Sequence, residues 1–166
     1  MTEPERRIVV EWEDPALLAE RAAQMSGLDF LRAMIAGELP QPPIAKLLGF
    51  ALVEADEGSA AFEAVPGERH YNPIGVVHAG LAATMLDSVT GVAVHTTLPK
   101  GGAYTTLETK FNLVRPISSE TGPIRAEATV LHRGRTVATA EGRLSDERGK
   151  LLAHATSTCM VFESGR

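Results

Sequence analysis

The sequence has a single cysteine, Cys159, in 166 residues, which excludes an intramolecular disulfide framework. It has no excess of basic charge: 16 Lys and Arg stand against 21 Asp and Glu, a formal net charge of -5. Non-specific nucleic-acid binding needs a basic footprint, so nucleic acid is not an expected partner. An anionic small ligand remains open, because net charge says little about one pocket. No uncharged apolar run reaches the ~18 residues of a membrane span, so no membrane partner is expected. After Met1–Arg7 only Ile8 to Val10 are apolar, too few for a signal-peptide core, and the cytoplasm is the expected compartment. The Cys and His residues lack zinc spacing, so no metal site is expected. There is no G-x-S-x-G nucleophile elbow, no internal repeat and no low-complexity tract.

What is present is a globular composition, 44% hydrophobic and 22% charged, at a length that suits one domain. Asp14-Pro15 reads as a helix start, the Asp capping free N–H groups and the Pro needing none. Leu18, Ala22 and Met25 recur at helical spacing, and the segment is expected to run to about Ala36, weakened at Gly27. Residues 1–43 are therefore expected to be a helical N-terminal extension, ended by Gly37 and Pro40-Gln41-Pro42-Pro43, with residues 44–166 forming the main domain.

From Gly49 onward the pattern is strand-like. Phe50–Ala55 and Ala60–Val65 flank a hairpin turn at Asp56–Ser59. Ala79–Leu98 is long enough for a buried helix, with Leu81, Met85 and Val89 on one face. Leu107, Thr109, Phe111 and Leu113 alternate with polar residues as a half-buried strand, and strands are expected at Ile124–Val130, Thr136–Leu144 and Leu151–Phe162. The fold class is α+β: one long helix against an antiparallel sheet of about six strands.

Two local features carry the chemistry. Between His70 and Pro99 the only Asp, Glu, Lys or Arg is Asp87. A lone carboxylate on an apolar helix needs a partner or a use, and taken alone it suits a structural anchor as well as a catalyst. Second, Asn72-Pro-Ile-Gly-Val-Val-His-Ala-Gly80 leads into that helix. If the helix begins near His78, the N–H groups of Ala79 and Gly80 fall in its first turn without intrahelical partners, a ready site for polarising a carbonyl. A tight turn with glycines is the alternative for this segment taken alone. His78 braces this turn in our reading. His70, His95, His132 and His154 are read as structural and Cys159 as a small core residue.

Together the spacing Asn-x5-His-small-Gly-x6-Asp, on one long helix before an antiparallel sheet, resembles the hotdog-fold acyl-CoA thioesterases. It is most similar to the PaaI-like, phenylacetate-pathway branch, related to one group of 4-hydroxybenzoyl-CoA thioesterases. The likeness covers about residues 44–162 and extends to Thr105–Pro116, Arg133-Gly-Arg135 and Ala153–Thr156.

The resemblance implies an acyl-CoA thioesterase in which Asp87 is the catalytic carboxylate, as nucleophile or general base. It implies that the Ala79 N–H, with Gly80 beside it, polarises the thioester carbonyl and that His78 orients the turn. Asn72 would position the water or the carboxylate from a facing subunit. A family Ser/Thr on the next strand matches Thr106, with Thr105 as the other register. The family pattern is usually His-Gly-Gly; Ala79 keeps the N–H but disfavours positive φ. Substrate contacts are expected at Gly75, Arg115, Arg133 and Arg135, the three arginines because residues 100–150 are locally basic. No cofactor is implied, CoA being part of the substrate, and a homodimer or homotetramer is. A hydratase or dehydratase acting on an acyl thioester, or a non-catalytic acyl-CoA-binding module, are the alternatives.

Overall fold

A computed structural model describes residues 6–162; residues 1–5 and 163–166, where the two expected segments begin and end, lie outside the described residues. Helix α1 (Pro15–Gln24) starts as expected, the Asp14 carboxylate accepting from the Ala16 N–H at 2.9 Å. The helix expected to continue to Ala36 is instead two. The chain turns extended at Met25 and restarts as α2 (Gly27–Ile35), capped by Ser26, whose Oγ accepts from the Asp29 N–H at 3.2 Å. The break has a steric cause: a Cβ on Gly27 would lie 1.8 Å from the His95 carbonyl oxygen. Glycine thus lets the start of α2 lie directly on the end of the long helix, where the Gly27 N–H donates to the Leu98 carbonyl at 3.0 Å.

Phe30, Leu31 and Met34 of α2 join the main core, whereas α1 buries no residue fully. A short helix α3 (Pro43–Leu48) was not expected. Its signals are in the sequence: Pro43 at the first position and Gly49 after the last, at φ 71°, are the residues that start and stop a helix.

Strands β1 (Phe50–Asp56) and β2 (Ser59–Ala64) form the expected hairpin. The long helix α4 (Ala79–Thr96) follows, then β3 (Ala103–Leu113), β4 (Ile124–Arg133), β5 (Val137–Asp146) and β6 (Leu151–Phe162). The sheet is wholly antiparallel in the order β1-β2-β4-β5-β6-β3, so β1 and β3 are its edges. Register shifts within the β1–β2, β3–β6, β4–β5 and β5–β6 pairs are bulges of the kind that bend a sheet, here around α4.

Leu81, Met85 and Val89 face the sheet and are buried, as their spacing predicts. The facing strands supply small residues, among them Ala126, Ala140, Ala153 and Ala155. At Gly142 a Cβ would meet Thr90 and Leu86 of α4 at 3.0 and 3.3 Å. Small side chains on the sheet therefore let a bulky helix sink against it. Among the described residues no helix is long and apolar enough to cross a membrane.

One strand departs from its pattern. Leu107, expected on the buried face of β3, is 54% exposed. A bulge sits there: Thr106 pairs with Cys159 and Glu108 with Thr158, leaving Leu107 unpaired. One extra residue shifts the alternation by one, so Tyr104 and Thr106 point inward before the bulge, and Thr109 and Phe111 after it.

Candidate active site

The turn before α4 is built by two backbone bonds and one side chain. His78 N–H donates to the His70 carbonyl at 2.7 Å and Val77 N–H to the Ile117 carbonyl at 2.8 Å. Asn72 Oδ1 accepts from the N–H groups of Ile74 and Val76, at 3.0 and 3.2 Å. Its amide nitrogen has no hydrogen bond among the described residues. Gly75, at φ 82°, sits at the exposed corner of this turn, where a side chain would be strained. His70 is buried beneath, its Nε2 against the Leu48 carbonyl at 2.9 Å and its Nδ1 accepting from the Gly67 N–H. Burial lowers its pKa.

His78 is the N-cap of α4. Its Nδ1 accepts from the Gly80 N–H at 2.8 Å and its carbonyl from the Leu81 N–H at 3.1 Å. This divides the expected pair of donors. The Gly80 N–H is occupied, and Gly80 is small because a Cβ would lie 2.9 Å from His78 Nδ1. The Ala79 N–H meets no acceptor among the described residues and opens at the positive end of an 18-residue helix. Ala79 has the negative φ of the other non-glycine residues, so its methyl is unstrained. Beside it lies an open cleft of about 370 Å³, walled by Asn72, Val76, His78, Ala79, Arg115 and Pro116.

Asp87 is half-buried, not sealed in the core. Its Oδ1 accepts a hydrogen bond from Thr109 Oγ1 at 2.8 Å. The strand hydroxyl that meets Asp87 is thus Thr109, three residues beyond Thr106. Thr106 lies instead beside Cys159, its pairing partner on β6. Thr109 stood on the expected inward face of β3; what could not be read was that the bulge at Leu107 puts Thr106 on that face too, one pair further from Asp87.

The arginines are not brought together. Arg115 reaches the cleft beside Ala79, its Nη1 donating to the Leu151 carbonyl. Arg133 and Arg135 lie at the β4–β5 turn, where Val161 N–H donates to the Thr136 carbonyl. Arg115 is tied to Leu152, nine residues back along β6, which at strand rise is about 30 Å away. One chain cannot direct all three at one phosphate cluster. Arg125 is engaged elsewhere, bonded to Glu54, Glu63 and Glu127 on the outer sheet face.

Beyond Asp87, α4 ends in an aromatic stack. Tyr104 lies over Gly91, where a Cβ would meet its ring at 2.7 Å, and His95 packs between Tyr104 and Phe30 with ring centroids 5.5 and 5.7 Å away. Burial pulls the His95 pKa down to about 4. Cys159 is fully buried, as a core residue, and burial raises its thiol pKa. Among the described residues no three His, Cys, Asp or Glu side chains are placed to hold a metal ion.

The thioesterase superfamily model matches residues 74–153, from the turn before α4 into β6. A phenylacetic acid degradation-related protein of Ralstonia eutropha JMP134 superposes with a TM-score of 0.71 at 37% identity, covering 78% of this chain and 98% of that one. A Halobacterium salinarum protein bearing an esterase name is 31% identical over 124 residues, 70% of this chain and 80% of its own. The 1,4-dihydroxy-2-naphthoyl-CoA hydrolase of Listeria monocytogenes is 23% identical over 114 residues, 69% of this chain and 91% of its own. With a helix wrapped by a six-stranded antiparallel sheet and this likeness along most of its length, the chain belongs to the thioesterase superfamily and has its hotdog fold.

Proposed function

We propose that the protein hydrolyses acyl-CoA thioesters to the free acid and CoA in a site shared by two copies of the chain. The observation that carries this reading is the spacing of two groups on one helix. Asp87 lies eight residues after Ala79, which at about 1.5 Å rise per residue separates them by about 12 Å. A thioester carbonyl must lie within about 3 Å of both the carboxylate and the polarising donor. One chain cannot meet that condition. A second copy can, by offering its Ala79 N–H to the carbonyl that faces the first copy's Asp87.

The edge strand β3 is the natural seam, since its outer edge is unpaired and Leu107 and Leu113 are exposed along it. Antiparallel pairing of two β3 strands sets the Leu113 end of one against the Ala103 end of the other. Arg115 of one copy then faces the β4–β5 turn of its partner, which carries Arg133 and Arg135. That supplies separate cations at one edge for the phosphates of CoA.

In the reaction the Ala79 N–H and the dipole of α4 stabilise charge on the thioester oxygen, while Asp87, held by Thr109, acts on the carbonyl carbon. It attacks directly, giving an acyl-aspartyl anhydride and CoA thiolate that water then resolves, or it takes a proton from the attacking water. The Asn72 amide, with its nitrogen unengaged, serves to place that water or the carboxylate. This chemistry calls on no metal or redox cofactor.

The test is free-thiol release from acetyl-, hexanoyl-, palmitoyl- and phenylacetyl-CoA by wild type, Asp87→Asn, Ala79→Pro and a co-refolded mixture of the two variants. Each variant alone is expected to lose ~10²-fold or more in kcat. The mixture should recover about a quarter of wild-type activity, because half the dimers are hybrid and each holds one intact site. No recovery rules out the shared site. An Asp87→Asn enzyme as fast as wild type rules out the carboxylate. Tight binding without turnover of any of the four points to a binding module instead, and hydration of an enoyl-CoA without thiol release to a hydratase.

A further inference from the structure

Among the described residues four polar side chains are buried: His70, Thr90, Thr96 and Ser157. Three of them serve the backbone around them. Thr90 and Thr96 donate to carbonyls of their own helix, Leu86 at 2.8 Å and Ala93 at 2.6 Å, and His70 braces the turn before α4. Ser157 differs. It sits on the inner face of β6 among Ala153, Ala155, Cys159 and Val161, where an apolar residue would bury without the desolvation of a hydroxyl.

Its contacts lead to the reacting group. Ser157 pairs with Thr109 across the β3–β6 ladder, and their hydroxyl oxygens are 3.2 Å apart. Ser157 Oγ also donates to the Glu108 carbonyl at 3.1 Å and lies 4.0 Å from Cys159 Sγ. A hydroxyl has one hydrogen and two acceptor lone pairs. Thr109 gives its hydrogen to Asp87 at 2.8 Å, so towards Ser157 it can only accept. Ser157 therefore has one hydrogen for two acceptors, the Glu108 carbonyl and the Thr109 oxygen, and serves both as a three-centre bond, while Thr109 donates to Asp87. Donation into the Thr109 oxygen polarises its own O–H bond and fixes its rotamer. Thr109 stands opposite Ser157 on the inward face, on the far side of the bulge at Leu107 from Thr106.

We propose that Ser157 is a positioning residue for the Asp87 carboxylate, acting through the Thr109 hydroxyl. The proposal rests on the role assigned to Asp87 above. It predicts an effect on turnover that passes through Thr109 and leaves substrate binding alone.

The experiment compares kcat and KM for thiol release in wild type, Ser157→Ala, Ser157→Thr, Thr109→Val, the Ser157→Ala/Thr109→Val double variant and Asp87→Asn. The substrate is whichever of acetyl-, hexanoyl-, palmitoyl- or phenylacetyl-CoA the wild type turns over fastest. Ser157→Ala should lower kcat about threefold to tenfold, the range that one neutral hydrogen bond spans, with KM unchanged. Ser157→Thr, which keeps the hydroxyl, should restore most of the loss. Ser157→Ala should add nothing to Thr109→Val, because both remove the same path. Wild-type kcat in Ser157→Ala, or losses that multiply in the double variant, overturn the proposal. If Ser157→Ala does not fold by circular dichroism, Ser157→Cys, similar in size with a weak donor, makes the same comparison. A fully active Asp87→Asn overturns the underlying role of Asp87; an inactive Asp87→Asn with an unslowed Ser157→Ala overturns the Ser157 assignment alone.

Discussion

The Thr109 hydroxyl donates to the Asp87 carboxylate at 2.8 Å across 22 residues of sequence, joining the edge strand to the middle of the long helix. A hydrogen bond to a charged acceptor holds about 1.5–3 kcal/mol. Here it also holds the carboxylate in one rotamer. Thr109→Val should therefore lower kcat by about tenfold or more, whereas Thr106→Val, at a residue that lies opposite Cys159 and makes no bond to Asp87, should leave kcat unchanged. Steady-state thiol release from the two variants decides between these positions, and a larger loss at Thr106 would reverse the assignment.

Ala79→Pro isolates the backbone donor from the helix it belongs to. Proline suits the first position of a helix, where its N–H is not needed. His78, at φ -62° and ψ 139°, already has the extended conformation that a following proline requires. The variant should unfold at the same urea concentration as wild type and lose about 10²–10³-fold in kcat. Undiminished turnover in a folded Ala79→Pro enzyme would remove this N–H from the mechanism.

The contact between Gly27 and His95 sets how the N-terminal helices meet the core. A methyl at Gly27 would lie 1.8 Å from a backbone oxygen, which no rotamer change can relieve. Gly27→Ala should cost about 2 kcal/mol or more in urea unfolding, in line with overpacked cores. Gly37→Ala meets no neighbour within 4 Å, though its φ of 76° is strained for alanine. Its expected cost is the smaller of the two.

Stability should fall in mild acid because of buried imidazoles. His95 has a pKa of about 4 against the ordinary 6.5, through burial, so between those values the unfolded chain binds a proton that the folded chain does not. Stability is then intact above about pH 6.5 and declines as pH falls towards 4, by up to about 3 kcal/mol from this group. His70, lowered by the same cause, acts in the same direction. Urea unfolding of wild type and His95→Phe between pH 7.5 and 4 should show the difference between them change with pH. A constant difference would mean that His95 is not the group responsible.

The amino-acid sequence determined the elements and the candidates. Alternation and helical spacing are local periodicities, and they marked the six strands, the long helix and its buried face at Leu81, Met85 and Val89. The lone charge at Asp87 and the His78-Ala79-Gly80 turn were legible because each is a property of a few adjacent residues. Tertiary structure decided what depends on contact between distant segments. The split at Gly27 follows from the carbonyl of His95, 68 residues away, and the bulge at Leu107 follows from pairing with β6. That bulge turns Thr106 inward beside Cys159, while Thr109, with Ser157 opposite it, meets Asp87. The rigid rise of α4 keeps Ala79 and Asp87 of one chain apart. Periodicity fixes which face a residue takes only until a residue is inserted into the ladder, and no local pattern reports where that insertion falls.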